Sequence, residues 1–366
     1  MSNMVSLREV LKYEQPSKYI VESTSYDNSY ETPVLTAGQS FILGYTDEQN
    51  NIYHDLPCII FDDFTAATKY VNFPFKVKSS AMKILTTYKK KADIKYLYYV
   101  MSTINVDTGL HKRYWISNYA NIKILLPSLS EQQKIAVILD KTSELIAGRK
   151  KQLEKLDLLV KSRFVEMFGA RLGDGAVELS EICTIITDGT HQPPKFIDTG
   201  IPFLLVSNIV DNEINYTTSK FISRDDYDVL IKRTPIEVGD VLLTTVGSYG
   251  NPAVVKSEQE FCFQRHIAYL KPKQKQVNSV YLHAVFLSSA VREQIEVKVK
   301  GIAQKTLNLS ELKTIRVNLP PLDLQTRFAD FVRQADKSKF EIQQGLEKLE
   351  LQYNALMQQY FSEGVS

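Results

Sequence analysis

Two stretches of the chain carry nearly the same sequence, and this internal repeat limits the possible folds more than any other feature. Residues 126–139 read LPSLSEQQKIAVIL, and residues 319–332 read LPPLDLQTRFADFV. The match continues at the same offset without a gap, so that LEKL at 153–156 meets LEKL at 346–349. A match held over roughly forty residues indicates that one supersecondary unit occurs twice in the chain.

Each copy of the repeat predicts a long helix that packs along a partner helix. A Leu-Pro pair opens each copy and restricts the backbone before it, and a long stretch without proline follows. Apolar residues then recur every seven positions, which is the spacing of residues that face the partner in a coiled coil. The predicted core of the helix pair is formed by Leu139, Ile146, Leu153, Val160, Phe328, Ile342, Leu349 and Leu356. Neither helix can bury its row of apolar residues alone, so we expect the two helices to pack on each other in antiparallel orientation. Packing of each helix only on its own globular neighbour is the alternative.

The repeats divide the chain into two half-molecules, each a globular domain followed by a helix. The predicted segments are a domain at 1–126, a helix at 127–169, a domain at 170–319 and a helix at 320–362. Both domains are rich in Tyr, Phe, Val and Ile interrupted by Gly, Pro, Asn and Asp, which is typical of short strands and turns. Residues 58–62 and 240–244 are predicted buried strands, and residues 94–104 and 279–297 are predicted helices. The predicted fold class is therefore α+β, with two mixed α/β domains joined by two long antiparallel helices in a pseudo-two-fold repeat. A duplicated chain of this kind suits a target that is itself two-fold related, and duplex DNA is the commonest such target.

Composition places the chain in a reducing compartment and gives no sign of a metal site. The three cysteines, Cys58, Cys183 and Cys262, are far apart and outside any CxxC spacing. This pattern argues against a disulfide framework and a structural zinc site. No stretch has the length and hydrophobicity of a membrane span, and we expect a cytoplasmic protein. The net charge of +2 is uninformative, but residues 76–123 hold ten Lys and Arg against two acids. A solvated surface and a phosphate-binding surface would both have this composition.

Three stretches have some likeness to catalytic motifs, and none of them completes a catalytic site. Asp62 and Asp63 follow an apolar run, but neighbouring strand residues point to opposite faces and cannot share one metal ion without a bulge. The HQPPKF segment at 191–196 is similar to the loop with which amino-methyltransferases hold an adenine, but no glycine-rich site for S-adenosylmethionine precedes it. The glycine turn at 245–251 lacks the GK[ST] ending of a phosphate loop. We therefore predict no catalytic residues and no metal ligands.

Both halves contain residues of the types that contact bases and phosphates. Arg and Lys suit guanine, Gln and Asn suit adenine, and hydroxyl groups reach either bases or phosphates. The predicted DNA contacts in the first domain are Lys76, Lys78, Ser79, Ser80, Lys83, His111, Lys112, Arg113 and Tyr114. Those in the second domain are Thr190, His191, Gln192, Lys195, Ser248, Tyr249, Gln264, Arg265, Gln304 and Lys305. Any one of these clusters could be ordinary surface, so their similar placement before each helix carries the prediction.

The sequence resembles the specificity (S) subunits of type I restriction–modification systems over essentially its whole length. In the first half, PVLTAGQSFILGYTDE, IIFDDFT, FKVKSSAMKIL and HKRYWISNYANIKILLP resemble a target-recognition domain of that family. In the second half, IPFLLVSNI, GDVLLTTVGSYGN, FQRHIAYLKP and GIAQKTLNLSELKTIRVNLPPL resemble a second such domain. The two repeat copies are similar to the family's central and C-terminal spacer helices.

This resemblance implies a function that the residues alone do not specify. Such a subunit has no catalytic activity, and each of its domains reads one half of a split site in double-stranded DNA. The helices set the spacer and bind two methyltransferase (M) subunits, which carry S-adenosylmethionine and modify N6 of an adenine in each half-site. Restriction (R) subunits use ATP and magnesium to translocate and cut. Because these recognition domains vary with their target, the resemblance transfers no base-contacting residue to this chain. A coiled-coil scaffold and a self-sufficient nuclease or methyltransferase remain the alternative interpretations.

Overall fold

The computed structural model describes residues 3–36, 40–88, 91–104, 115, 119–192, 194–301 and 305–361. The chain forms two compact units. The first unit comprises Met1–Lys151 and Gln343–Ser366, and the second unit comprises Gln152–Ile342. Each unit therefore contains one globular domain together with the beginning of one long helix and the end of the other. Within the described residues, no helix is both long and apolar enough to cross a membrane.

The globular domain of the first unit is built on an antiparallel sheet of four strands. Its strands are β1 (Asn3–Ser6), β2 (Leu11–Glu14), β3 (Thr32–Leu35), β4 (Ile42–Thr46), β5 (Cys58–Asp62), β6 (Thr68–Val71), β7 (Lys76–Val77), β8 (Met82–Thr87) and β9 (Lys123–Leu126). Its helices are α1 (Leu7–Val10) and α2 (Ile94–Thr103), and short 3-10 turns span Pro16–Tyr19 and Tyr119–Asn121. The main sheet has the order β2-β8-β5-β6, a second sheet has the order β4-β3-β7, and β1 pairs with β9. All five residues of β5 are buried, as predicted for 58–62.

The second unit begins within the first long helix, α3 (Leu129–Phe168). The helices that follow are α4 (Leu179–Ile182), α5 (Arg224–Leu230), α6 (Ser279–Leu287), α7 (Ser289–Lys298), α8 (Leu309–Lys313) and the second long helix, α9 (Leu322–Phe361). The strands are β10 (Val177–Glu178), β11 (Cys183–Asp188), β12 (Ile201–Leu204), β13 (Ile209–Val210), β14 (Glu213–Ile214), β15 (Phe221–Ile222), β16 (Val241–Thr244), β17 (Pro252–Val254), β18 (Cys262–Phe263), β19 (Ile267–Pro272) and β20 (Arg316–Val317), and a 3-10 turn spans Val206–Asn208.

Both globular domains use the same strand order, which confirms the predicted duplication at the level of the fold. The main sheet of the second unit runs β11-β19-β16-β17 and corresponds strand for strand to β2-β8-β5-β6. A parallel pair accompanies each main sheet, β3 with β7 in one unit and β12 with β18 in the other. A short antiparallel pair, β1 with β9 or β10 with β20, brings the start of each domain next to the strand that precedes its long helix.

One predicted helix is interrupted. Residues 279–297 were expected to form a single helix, but α6 ends at Leu287 and α7 begins at Ser289. Between them Ser288 adopts an extended backbone, with φ −71° and ψ 150°, and its hydroxyl donates to the carbonyl of Val285 at 2.6 Å. A serine that bonds to the preceding turn offers the backbone an alternative to a continuous helix, which explains the break.

The long helices are antiparallel within each unit. In the first unit, Leu139 near the start of α3 shares a core with Phe361 at the end of α9. In the second unit, Phe164 and Phe168 near the end of α3 have ring centroids 5.6 and 5.5 Å from that of Phe328 near the start of α9. Of the predicted helix-pair residues, Leu139 and Phe328 are fully buried. The other six are partly buried: Ile146, Leu153, Val160, Ile342, Leu349 and Leu356.

Candidate nucleic-acid interface

Four loops of the second unit meet at one end of its main sheet. Strand β11 ends at Asp188, β16 ends at Thr244 and β19 begins at Ile267, and their antiparallel order places these ends side by side. The amide of Thr190 donates to the carbonyl of Phe263 at 3.1 Å, and the amide of Arg265 donates to the carbonyl of Thr190 at 3.1 Å. The segments 188–192, 245–250, 264–266 and 305–307 form this surface, which we call the loop edge.

The segment at 305–307 completes the loop edge from a distant part of the chain. The amide of Leu307 donates to the carbonyl of Thr245 at 2.8 Å, and the amide of Gly247 donates to the carbonyl of Lys305 at 3.2 Å. The Nζ of Lys305 lies 3.4 Å from the hydroxyl of Tyr249. The structure thus brings together eight of the predicted contacts: Thr190, His191, Gln192, Ser248, Tyr249, Gln264, Arg265 and Lys305.

A glycine allows the 188–192 and 264–266 segments of the loop edge to approach closely. A Cβ atom added at Gly189 would lie 2.1 Å from the carbonyl oxygen of Phe263 and 2.6 Å from that of Gln264. These atoms belong to the backbone and cannot rotate away, so any larger residue would separate the loops. The close approach therefore requires glycine at this position.

Charge at the loop edge is organised around Asp188, whose side chain is only 13% exposed. One carboxylate oxygen accepts a hydrogen bond from Arg233, and the other lies 3.0 Å from Nε2 of His191. Burial, together with the neighbouring Arg265 guanidinium, lowers the pKa of His266, so this imidazole is neutral at pH 7. Arg233 was not predicted, because nothing in the KRTP sequence around it signals that it would reach β11.

The exposed side chains of the loop edge include hydrogen-bond donors and acceptors. Arg265 and Lys305 are exposed cations, and Gln192 is an exposed amide. Among the residues that the structure describes, no three His, Cys, Asp or Glu side chains are grouped to hold a metal ion. Burial raises the pKa of the thiols of Cys58, Cys183 and Cys262 to about 12 in each case, so all three are protonated at neutral pH. The loop edge thus offers a ligand two exposed cations and an exposed amide.

Two predicted DNA contacts in the first unit are wrong, because their ammonium groups are inside the protein. Lys76 is 2% exposed, and its Nζ lies 2.7 Å from a carboxylate oxygen of Glu48. Lys83 is 1% exposed, and its Nζ lies 3.3 Å from Asp63. Lys76 thus neutralises a partly buried carboxylate and Lys83 a buried one, and neither ammonium group can reach a ligand at the surface.

The neighbouring predicted residues of the first unit remain accessible. Lys78 and Ser80 are exposed and Ser79 is half-buried, in the loop that leads into β8. This loop corresponds to the 264–266 segment of the second unit, because β8 and β19 hold the same place in their sheets. Lys195 is also exposed, but it lies beside the second unit's three-stranded sheet, where Phe196 packs on Phe203. The predicted contacts His111, Lys112, Arg113, Tyr114 and Gln304 lie outside the described residues.

The paired carboxylates after β5 have structural roles. Asp62 accepts hydrogen bonds from the amide of Phe64 at 2.9 Å and the hydroxyl of Thr65 at 2.6 Å, which closes a turn. Asp63 accepts from the amide of Trp115 at 3.0 Å and pairs with Lys83. Their side-chain oxygens are thus occupied by protein donors.

The same family is matched in both halves of the chain. A family model described as the type I restriction modification DNA specificity domain matches residues 2–156 and again residues 175–351. The chain belongs to this family. The specificity subunit of the Escherichia coli type I restriction enzyme EcoR124I/EcoR124II is 50% identical over 165 residues, covering 40% of this chain and 41% of that protein. The specificity subunit of Escherichia coli EcoBI is 29% identical over 241 residues, covering 57% of this chain and 50% of that protein. The chain thus spans about half the length of these relatives.

Solved structures confirm the fold over nearly the whole chain. The type I restriction–modification S subunit from M. genitalium matches with a TM-score of 0.65 at 13% identity, covering 99% of this chain and 96% of that one. A chain from a structural study of complex assembly and conformational transition in the type I R-M system matches with a TM-score of 0.54 at 18% identity, covering 98% and 97%. At such low identity these matches establish the shared architecture, which is two mixed domains and two long helices.

Proposed function

We propose that this chain is the DNA sequence-specificity subunit of a type I restriction–modification system and has no catalytic activity of its own. Each globular domain would read one half of a split site in double-stranded DNA. The observation that carries the proposal is the loop edge of the second unit, where four segments converge to present side chains suited to DNA. The duplicated fold and the two family matches support extending this function to both halves.

The side chains at the loop edge support recognition of bases and phosphates. Arg265 can donate two hydrogen bonds to guanine, and Gln192 or Gln264 can pair with the edge of adenine. Lys305 and the hydroxyl of Thr190 suit phosphate oxygens, which position a protein on the duplex without reading sequence. A chain with two such domains would read two half-sites, as two-fold DNA-binding proteins do.

The long helices would fix the spacer between the half-sites and bind two methyltransferase subunits. Large apolar side chains on the helices support a partner surface, since Leu145 and Leu351 in the first unit are 56% and 70% exposed, and Leu158 and Phe340 in the second unit are 61% and 63% exposed. In the proposed complex, S-adenosylmethionine belongs to the methyltransferase subunits, which modify adenine N6. ATP and magnesium belong to the restriction subunits. Such a complex would act in the cytoplasm.

Adenine-methylation mapping tests this proposal directly. DNA would be sequenced for N6-methyladenine from cells that express the chain with its cognate M subunit, M alone, or the chain alone. We expect a split motif, methylated in both halves, only when the two proteins are expressed together. Methylation by the chain alone would instead support a self-sufficient methyltransferase. If a purified complex of the two proteins produces no motif, the scaffold interpretation is favoured and the proposed function is wrong.

A further inference from the structure

A buried glutamine joins the start of α3 to the globular domain of the first unit. Gln132 is 1% exposed in the first turns of the helix. Its Oε1 accepts from the backbone amide of Asp93 at 2.8 Å, and its Nε2 donates to the carbonyl of Pro127 at 2.8 Å. Asp93 in turn is the N-cap of α2 and accepts from the amide of Tyr96 at 2.8 Å. One side-chain amide therefore connects the beginnings of two helices.

The second unit contains an equivalent glutamine, which connects the start of its long helix to its globular domain. We call each of these two connections a joint. Gln325 is fully buried near the start of α9. Its Oε1 accepts from the amide of Asn278 at 2.8 Å, and its Nε2 donates to the carbonyls of Pro320 at 2.7 Å and Gln276 at 3.1 Å. Asn278 is the N-cap of α6, which corresponds to α2. The two glutamines are thus matched in sequence and in burial, and each bonds to the amide of a helix N-cap residue and to a proline carbonyl.

Packing and capping alone do not account for a glutamine at position 132. The start of α3 already has a cap, because the hydroxyl of Ser128 bonds to the carboxylate of Glu131 at 2.7 Å and the amide of Ser128 bonds to it at 3.0 Å. An apolar side chain could fill the buried volume without desolvating an amide, but it would lose the hydrogen bonds to the amide of Asp93 and the carbonyl of Pro127. Hydrogen bonds differ from apolar contacts in being directional, and two of them on one planar group prevent the domain from rotating or sliding on the helix.

We propose that Gln132 and Gln325 are positioning residues for DNA recognition, each fixing the rotational setting of one recognition domain on its long helix. The inference rests on the proposed function and adds a determinant of spacer length to it. Each added base pair turns the second half-site by about 35° around the duplex, because B-DNA has 10–10.5 base pairs per turn. A domain held on its helix by two hydrogen bonds cannot turn to follow the rotated half-site. A domain held only by apolar contacts can turn and follow it.

The two units also differ in the contacts around the glutamine, and this difference ranks the two expected effects. In the first unit, Asp140 of α3 makes two further contacts with α2. It accepts a hydrogen bond from the hydroxyl of Tyr99 at 2.6 Å and forms an ion pair with Lys95 at 2.5 Å. The matching position in α9 is Arg333, which pairs with Asp330 on its own helix. Loss of Gln325 should therefore loosen its domain more than loss of Gln132.

The test is methylation mapping with the full chain and its cognate M subunit, using Gln132→Met and Gln325→Met. Methionine has a similar volume but makes none of these hydrogen bonds. Wild type should methylate sites of one spacer length. Each variant should raise methylation at sites one base pair longer or shorter by about fivefold or more, the factor expected for loss of a buried hydrogen bond, with the larger change for Gln325→Met. The bases read in each half-site should not change.

Exposed glutamines on the same helices supply matched controls. Gln133→Met and Gln334→Met should keep the wild-type spacer. Should either test variant assemble poorly, Gln132→Asn and Gln325→Asn retain the amide on a side chain one methylene shorter and should widen the spacer more mildly. An unchanged spacer in folded test variants overturns the inference. So does loss of all methylation in all four test variants, because the glutamines would then only support the fold. Absence of a split motif with wild type counts instead against the proposed function.

Discussion

The two globular domains have one strand order, but they differ in where some of their basic residues lie. In the first unit, Lys76 and Lys83 point inward and pair with acids, although they belong to the most basic stretch of the chain. In the second unit, Arg265 and Lys305 stand exposed at the loop edge. A count of basic residues therefore does not locate a DNA-binding surface, since a lysine that is itself buried beside a carboxylate is not available to DNA.

The largest effect should come from breaking the buried pair of the first unit. Lys83→Met should lower the free energy of unfolding by about 3–5 kcal/mol, because it leaves the Asp63 carboxylate buried without its cation. Lys78→Met, five positions earlier on the exposed loop, should change it by less than about 0.5 kcal/mol. Denaturant unfolding of the full chain measures both. Equal stability of the two variants would show that burial does not distinguish these lysines.

A smaller effect should follow from widening the loop edge of the second unit. Gly189→Ala places a methyl group against the backbone of Phe263 and should destabilise the unit by about 1–3 kcal/mol. Gly175→Ala is the matched control, because nothing lies within 4 Å of its added Cβ. Thermal unfolding compares the two. If the Gly189→Ala protein is as stable as the control, separating the two segments costs no free energy of unfolding.

The exposed cations of the second unit should affect DNA binding rather than stability. Arg265→Ala should weaken binding to the cognate site by about 1–3 kcal/mol if the guanidinium reads a base, with relaxed preference in that half-site alone. Lys275→Ala, exposed beyond the opposite end of β19, should leave affinity unchanged. Binding of the assembled complex to DNA at several salt concentrations provides the measurement. Similar losses for both variants would place the interface elsewhere.

The smallest effects are expected for the ion pairs between the long helices. Lys150 and Glu350 pair at 2.8 Å in the first unit with both side chains at least 42% exposed, and Lys339 pairs with Asp157 at 2.5 Å in the second unit. Exposed pairs contribute about 0.2–1 kcal/mol. Double-mutant cycles should give a larger coupling energy for the second pair, because Lys339 is only 29% exposed. A larger value for the first pair would contradict the ranking by exposure.

Periodic features of the fold could be predicted from the sequence, whereas features that depend on distant partners could not. The two long helices follow from their heptad pattern, since that pattern is local and sustained. The burial of Lys76 depends on Glu48, and the placement of Arg233 depends on Asp188. Nothing in the local sequence around either residue indicates these pairings. The loop edge was partly predicted because its residue types are distinctive, but its assembly from four segments required the sheet order.

The segments of sequence that make up each unit also determine the order in which the two units can fold during synthesis. The second unit is continuous in sequence, but the first unit needs residues from both sides of it. The ring of Phe361 lies 5.7 Å from that of Tyr96, so the first core stays open until the last turn of α9 is made. At 5–20 residues per second, translation of residues 152–342 takes roughly 10–40 s. The first unit therefore completes its fold after the second unit, although its first residues leave the ribosome earlier.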